Sequence, residues 1–144
     1  MKKIVSTSVT AIGLFLMFSC GGNSTAPMNN APANTASAAV SGEALYKKTC
    51  IACHQENGQG IASTFPPLAK SDFLSNKELA IGQVIKGKSG ELMVNGIKYN
   101  NVMPPQQLND EEIAAVLTYV YSNFGNSGAP VTTAEVKSVR AKLN

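Results

Sequence analysis

The sequence predicts an all-α domain with a long, loop-rich middle. Three observations carry this. Apolar residues recur at helical spacing toward the C-terminus, helix-start signals precede four segments, and glycine and proline cluster between them. The 144 residues suit one domain with accessory segments. With 44% hydrophobic residues, 6% aromatics and no Trp, the core is limited. Small folds of this kind commonly lean on a metal or another bound group.

Residues 1–19 are expected to be a secretory signal. Lys2 and Lys3 precede an uncharged, largely apolar run from Ile4 to Phe18, which is short for a membrane span of ~20 residues. The run ends at Met17-Phe18-Ser19-Cys20 and loosely resembles a lipoprotein cleavage site, with Cys20 as the lipid anchor. Ordinary cleavage beside an incidental cysteine is the alternative. Residues 20–40 carry no charge and no apolar periodicity, which predicts a flexible linker. As coil it would span ~25 Å on average. That length suits a tether between an anchor and a mobile domain.

Folded structure is expected from Ser41, which can cap a helix through Glu43, Leu45, Tyr46 and Lys47 into Cys50. Glu56 to Lys70 is a loop bearing glycine and proline. Ser75-Asn76-Lys77-Glu78 has the spacing of a capping box ahead of a helix containing Leu79, Val84 and Ile85. That helix should stop by Gly87 or Gly90. Residues 88–108 are irregular, with a small hairpin predicted from Leu92 to Tyr99 around Asn95-Gly96. Asn109 then caps a helix with acids in its first turn and Ile113, Val116, Leu117, Val120, Tyr121 and Phe124 on one face. Gly125 is its stop. A second capping box, Thr132 to Glu135, opens a last helix from Thr133 to Leu143. The expected organisation is a folded domain over 41–125 and a helical extension over 126–144.

The chemistry lies in Cys50-Ile51-Ala52-Cys53-His54. Cys-x-x-Cys-His is the attachment signature of c-type haem. About one helical turn lets two sulfurs reach two vinyl groups on one porphyrin edge. The next residue can then turn its imidazole toward the iron. Two rival uses of the pair fit less well. A thioredoxin-like dithiol sits at a helix start in a βαβ context, and no such context is visible. A zinc site needs about four ligands, and the chain offers one histidine and no second cysteine pair.

His54 is the only histidine, so two histidines from one chain cannot ligate the same iron. Methionine is the expected sixth ligand, and a His/Met pair raises the reduction potential. Met28 lies in the linker, Met93 in the predicted hairpin, and Met103 in Asn101-Val102-Met103-Pro104-Pro105 before the long helix. The two prolines stiffen that loop and make Met103 the leading candidate. Met93 and an open site remain alternatives.

Residues 41–125 resemble a class I mono-haem cytochrome c. The Cys50–His54 motif comes first, Phe65-Pro66-Pro67-Leu68 follows, and Met103-Pro104 precedes a C-terminal helix. The resemblance implies helices wrapped round one covalent haem c. It implies that the Pro66 carbonyl accepts the His54 Nδ1–H, which fixes the tautomer, and that Leu68 packs on the haem. Gly87-Lys88-Ser89-Gly90, the segment from Asp110 to Gly125, and the Val131–Val136 tail are similar to cytochrome domains that serve oxidoreductases. The expected function is one-electron transfer on the periplasmic side of a bacterial membrane, by a monomeric domain rather than an enzyme. Expected partners are a terminal oxidase, nitrite reductase or membrane dehydrogenase, with Lys47, Lys48, Lys86, Lys88 and Lys98 available to orient them. A peroxidase would need distal acid–base groups, yet there is no second histidine and the one arginine, Arg140, lies in the last helix. No basic stripe interleaved with aromatics points to nucleic acid. Without Lys2 and Lys3 the side-chain charge is only +1.

Overall fold

A computed structural model describes residues 40–144. The expectations for the signal, Cys20, Met28 and the linker lie outside these residues. Five α-helices and one hairpin follow in chain order: α1 Gly42–Thr49, α2 Ile51–His54, α3 Lys77–Lys86, β1 Leu92–Val94, β2 Ile97–Tyr99, α4 Asp110–Asn123 and α5 Thr133–Leu143.

The helix starts follow their capping chemistry. Ser41 accepts from the Ala44 amide and opens α1. Asn109 and Glu112 form a capping box on α4, and Thr132 and Glu135 form one on α5. The start of α3 differs from expectation by one residue. A 3-10 turn over Asp72–Ser75 consumes Ser75, so Asn76 becomes the cap and accepts from the Leu79 amide. Leu79 itself is 55% exposed, and Ala80 and Ile81 are the buried residues of α3.

The core gathers on α4. Ile113, Val116, Leu117, Val120 and Tyr121 are buried there, with Tyr46 from α1 and Ile81 from α3. α1 packs on α4, and α5 packs on both α3 and α4. Val131, Val136 and Val139 join the same buried cluster, so the C-terminal helix shares the domain's core. Three ion pairs reinforce α5: Lys77–Glu135, Lys142–Glu78 and Arg140–Asp110.

The hairpin is antiparallel, with Leu92 opposite Tyr99 and Val94 opposite Ile97. Its turn, Asn95-Gly96, has both residues at positive φ, as a two-residue hairpin loop requires. Asn95 and Asp72 exchange hydrogen bonds, each side chain accepting from the other's amide at 2.8–2.9 Å. That exchange pins the hairpin tip to the 3-10 turn.

Candidate functional site

α1 ends at Thr49, and the chain turns at Cys50 into the single turn of α2. This places Cys50, Cys53 and His54 at the mouth of a cleft. Both thiols are free. Burial pushes the Cys50 thiol up, opposed by the Thr49 hydroxyl 3.3 Å from its sulfur.

His54 is 8% exposed. Its Nδ1 lies 3.0 Å from the Pro66 carbonyl oxygen. A carbonyl only accepts, so Nδ1 carries the hydrogen and Nε2 keeps its lone pair. Burial holds the imidazole pKa below its ordinary value, with the Pro66 bond opposing. Both the tautomer and the protonation state leave a neutral nitrogen available to a metal.

The loop behind His54 is pinned by its own backbone. The Gly60 amide donates to the His54 carbonyl, and the Ile61 amide donates to the Phe65 carbonyl. The amides of Leu68 and Ala69 both donate to the Gly58 carbonyl. Gly60 sits at φ 66, and a Cβ there would lie 2.3 Å from the Phe65 oxygen and 2.6 Å from the Pro66 oxygen. Glycine is required at that position. Tyr46 adds a further tie, its hydroxyl donating to the Gln55 carbonyl at 2.6 Å.

Two adjoining cavities share His54, Cys50, Pro66 and Met103 in their walls. One cavity is lined chiefly by apolar side chains, among them Leu68, Phe73, Val84, Leu92, Val116 and Val120. Cys53 lines the other cavity. Met103 is half-buried, whereas Met93 is 51% exposed and lines neither cavity. Among the described residues, no group of three or more His, Cys, Asp or Glu is placed to hold a metal ion, so a zinc site has no ligand set. An apolar slot with two thiols, a tautomer-fixed imidazole and a thioether on its walls fits a covalent haem.

The Met103 segment is held against α3. Met103 and Lys88 exchange backbone hydrogen bonds at 2.8 Å in both directions, and the Gln106 amide donates to the Val84 carbonyl. A Cβ at Gly87 would lie 2.4 Å from the Met103 carbonyl oxygen, so this approach depends on glycine. Of the lysines singled out in the sequence, Lys47 pairs with Glu43 and Lys98 with Glu91, while Lys88 binds carbonyls of its own turn.

Sequence reasoning missed Gln83, Gln106 and Leu108, which also line the cleft. The signal for Gln83 was present. It lies three residues after buried Ala80 and one before Val84, on the inward face of α3.

Residues 39–123 match the family model for cytochrome c. Cytochrome c-552 of Thermus thermophilus is 42% identical over 116 residues, covering 73% of this chain and 78% of that protein. The fructose dehydrogenase cytochrome subunit of Gluconobacter japonicus is 31% identical over 75% of the chain, which spans 24% of that subunit. The cytochrome c subunit of a quinone alcohol dehydrogenase from Gluconacetobacter polyoxogenes is 32% identical over 76%, again spanning 24%. The apolar cleft, the Cys50–His54 turn at its mouth and these similarities converge: the chain belongs to the cytochrome c family, as a class I mono-haem cytochrome with covalently bound haem c.

Proposed function

We propose that this chain is a one-electron carrier whose haem is attached through Cys50 and Cys53 and ligated by His54 and Met103. One observation carries the assignment. The His54–Pro66 bond leaves Nε2 as the free lone pair of a ring that shares its cavities with the Met103 thioether. Bound haem supplies reversible Fe(III)/Fe(II) exchange. The chain supplies the rest. Pro66 would orient the imidazole, Leu68 and Val116 would keep water from the slot, and Met103 would offer its thioether to the iron. Two occupied positions in an apolar slot leave no place for a substrate, which favours a carrier over a peroxidase. A high-spin, ligand-accessible ferric spectrum would overturn that preference.

The proposed setting is the periplasmic side of a bacterial membrane, with residues 1–19 removed, Cys20 lipidated and residues 20–40 as tether. The domain comprises residues 41–125 with its helical extension to 144. Among the described residues no helix is long and apolar enough to cross a membrane. The proposed partner is a membrane dehydrogenase, terminal oxidase or nitrite reductase, met through a small, transient interface; relatives that are dehydrogenase cytochrome subunits support the first of these.

The test is a denaturing gel stained for haem. The wild-type band should stain, and the double variant Cys50→Ala, Cys53→Ala should not. A stained band in the double variant would end the covalent assignment to these residues. In parallel, Cys20→Ser should move the protein from the membrane fraction to the soluble one; unchanged fractionation would refute the anchor.

A further inference from the structure

We propose that Gln83 is a positioning residue whose side-chain amide holds the Met103 sulfur and shifts the site toward its reduced state. The inference rests on Met103 being the axial ligand, and it adds a residue that neither the motif nor the family resemblance names.

Gln83 stands in the middle of α3 and lines both cavities. It is half-buried, and the walls around it carry the apolar Val84 and Leu92 together with a second amide, Gln106. The Gln83 Nε2 lies 3.6 Å from the Met103 Sδ, within hydrogen-bonding range for sulfur.

The backbone around Met103 is fixed independently. The Lys88–Met103 pair and the Gln106–Val84 bond fasten the segment to the end of α3. Those bonds set the Met103 Cα but leave three rotatable side-chain bonds free. The Gln83 amide selects among the resulting thioether positions. Sulfur has two lone pairs, so one can face the iron while the other accepts from Nε2.

The electrostatic consequence has a definite sign. The N–H dipole points its positive end at the sulfur and withdraws electron density from it. Iron(III) carries one more positive charge than iron(II), so the donor disfavours the oxidised state. Loss of the donor should lower the potential. The low dielectric of the slot strengthens the effect. One hydrogen bond of ordinary strength corresponds to about threefold to tenfold in the redox equilibrium. Tenfold is about 59 mV for one electron.

The experiment uses the haem-loaded protein and two variants. Gln83→Leu keeps the volume and removes the amide. Gln83→Glu keeps the shape and removes the N–H donor, which separates packing from hydrogen bonding. The readouts are the reduction potential and the weak long-wavelength sulfur-to-iron band. Both variants should lower the potential about threefold to tenfold or more in equilibrium constant, with Gln83→Glu lower still because its carboxylate adds negative charge. Loss of the band in a folded variant would equally support the positioning role. Unchanged potential and band in both variants would overturn the proposal. Met103→Ala separates this failure from the larger one. If Met103→Ala abolishes the band while the Gln83 variants change nothing, only the present inference falls. If Met103→Ala retains the band, the ligand assignment falls and takes the inference with it.

Discussion

The two sides of the cleft are built differently. The histidine side is one continuous run, Cys50 to Leu68, held mostly by hydrogen bonds within itself, with added ties from Tyr46 and Asn126. The methionine side is assembled from the end of α3, the hairpin and the segment 103–108, which meet through pairings between separate stretches. A single side-chain bond, Asn101 to the Thr64 carbonyl, links the two loops directly. A local loop needs only its own sequence to hold shape. An assembled wall depends on several elements being correctly placed, and it should yield first.

The largest test of this contrast is a pair of alanine substitutions. Gly60→Ala and Gly87→Ala both place a Cβ at positive φ within 2.4 Å of a backbone oxygen. Each should cost roughly 1–3 kcal/mol or more. Gly60→Ala should push the Pro66 carbonyl from His54 and lower the yield of haem-loaded protein. Gly87→Ala should spare haem attachment and weaken the sulfur-to-iron band. Haem staining and the visible spectrum together separate the two; the same spectral change in both would remove the contrast.

A smaller effect is expected at Tyr46. Burial raises its hydroxyl pKa well above the ordinary tyrosine value, so it stays protonated and donates to Gln55, the residue after His54. Tyr46→Phe should destabilise by about 1 kcal/mol in denaturant titration. The Met103 band should not change, because the loss falls on the histidine side.

The smallest effect lies away from the cleft, where α5 is held by Glu135. Hydrogen bonds from Thr132, and then Lys77, bring the Glu135 pKa from 4.5 down to about 2. A depressed acid favours folding in its ionised form. Its contribution is complete above pH 4.5 and fades as the pH falls toward 2. The side chain is 41% exposed, so solvent limits the gain to less than ~1 kcal/mol. Glu135→Gln should lower the melting temperature at pH 7, with the gap from wild type closing toward pH 2.

The same contrast explains what the sequence made legible. The Cys50–His54 motif and the Pro66 spacing lie within one short run, so chemistry and position could be read together. The helices over 110–123 and 133–143 were legible because their caps and apolar faces agree. The start of α3 shifted because two adjacent residues, Ser75 and Asn76, can each cap, and the 3-10 turn decided between them. On the methionine side, sequence favoured Met103 and left Met93 and an open site as alternatives. Hairpin register fixes the placement of Met93: the β1 alternation buries Val94 and turns Met93 outward. Gln83 went unnoticed although its spacing from Ala80 and Val84 puts it on the inward face of α3, because a polar residue in a short helix reads as solvent-facing.

The central claim is that the two sides meet on one iron, through His54 and Met103. The direct measurement is the visible spectrum and reduction potential of the haem-loaded Met103→Ala and Met93→Leu variants. Met103→Ala should lose the long-wavelength sulfur-to-iron band and fall in potential, while Met93→Leu should match the wild type in both. A band that survives in Met103→Ala and disappears in Met93→Leu would contradict the account.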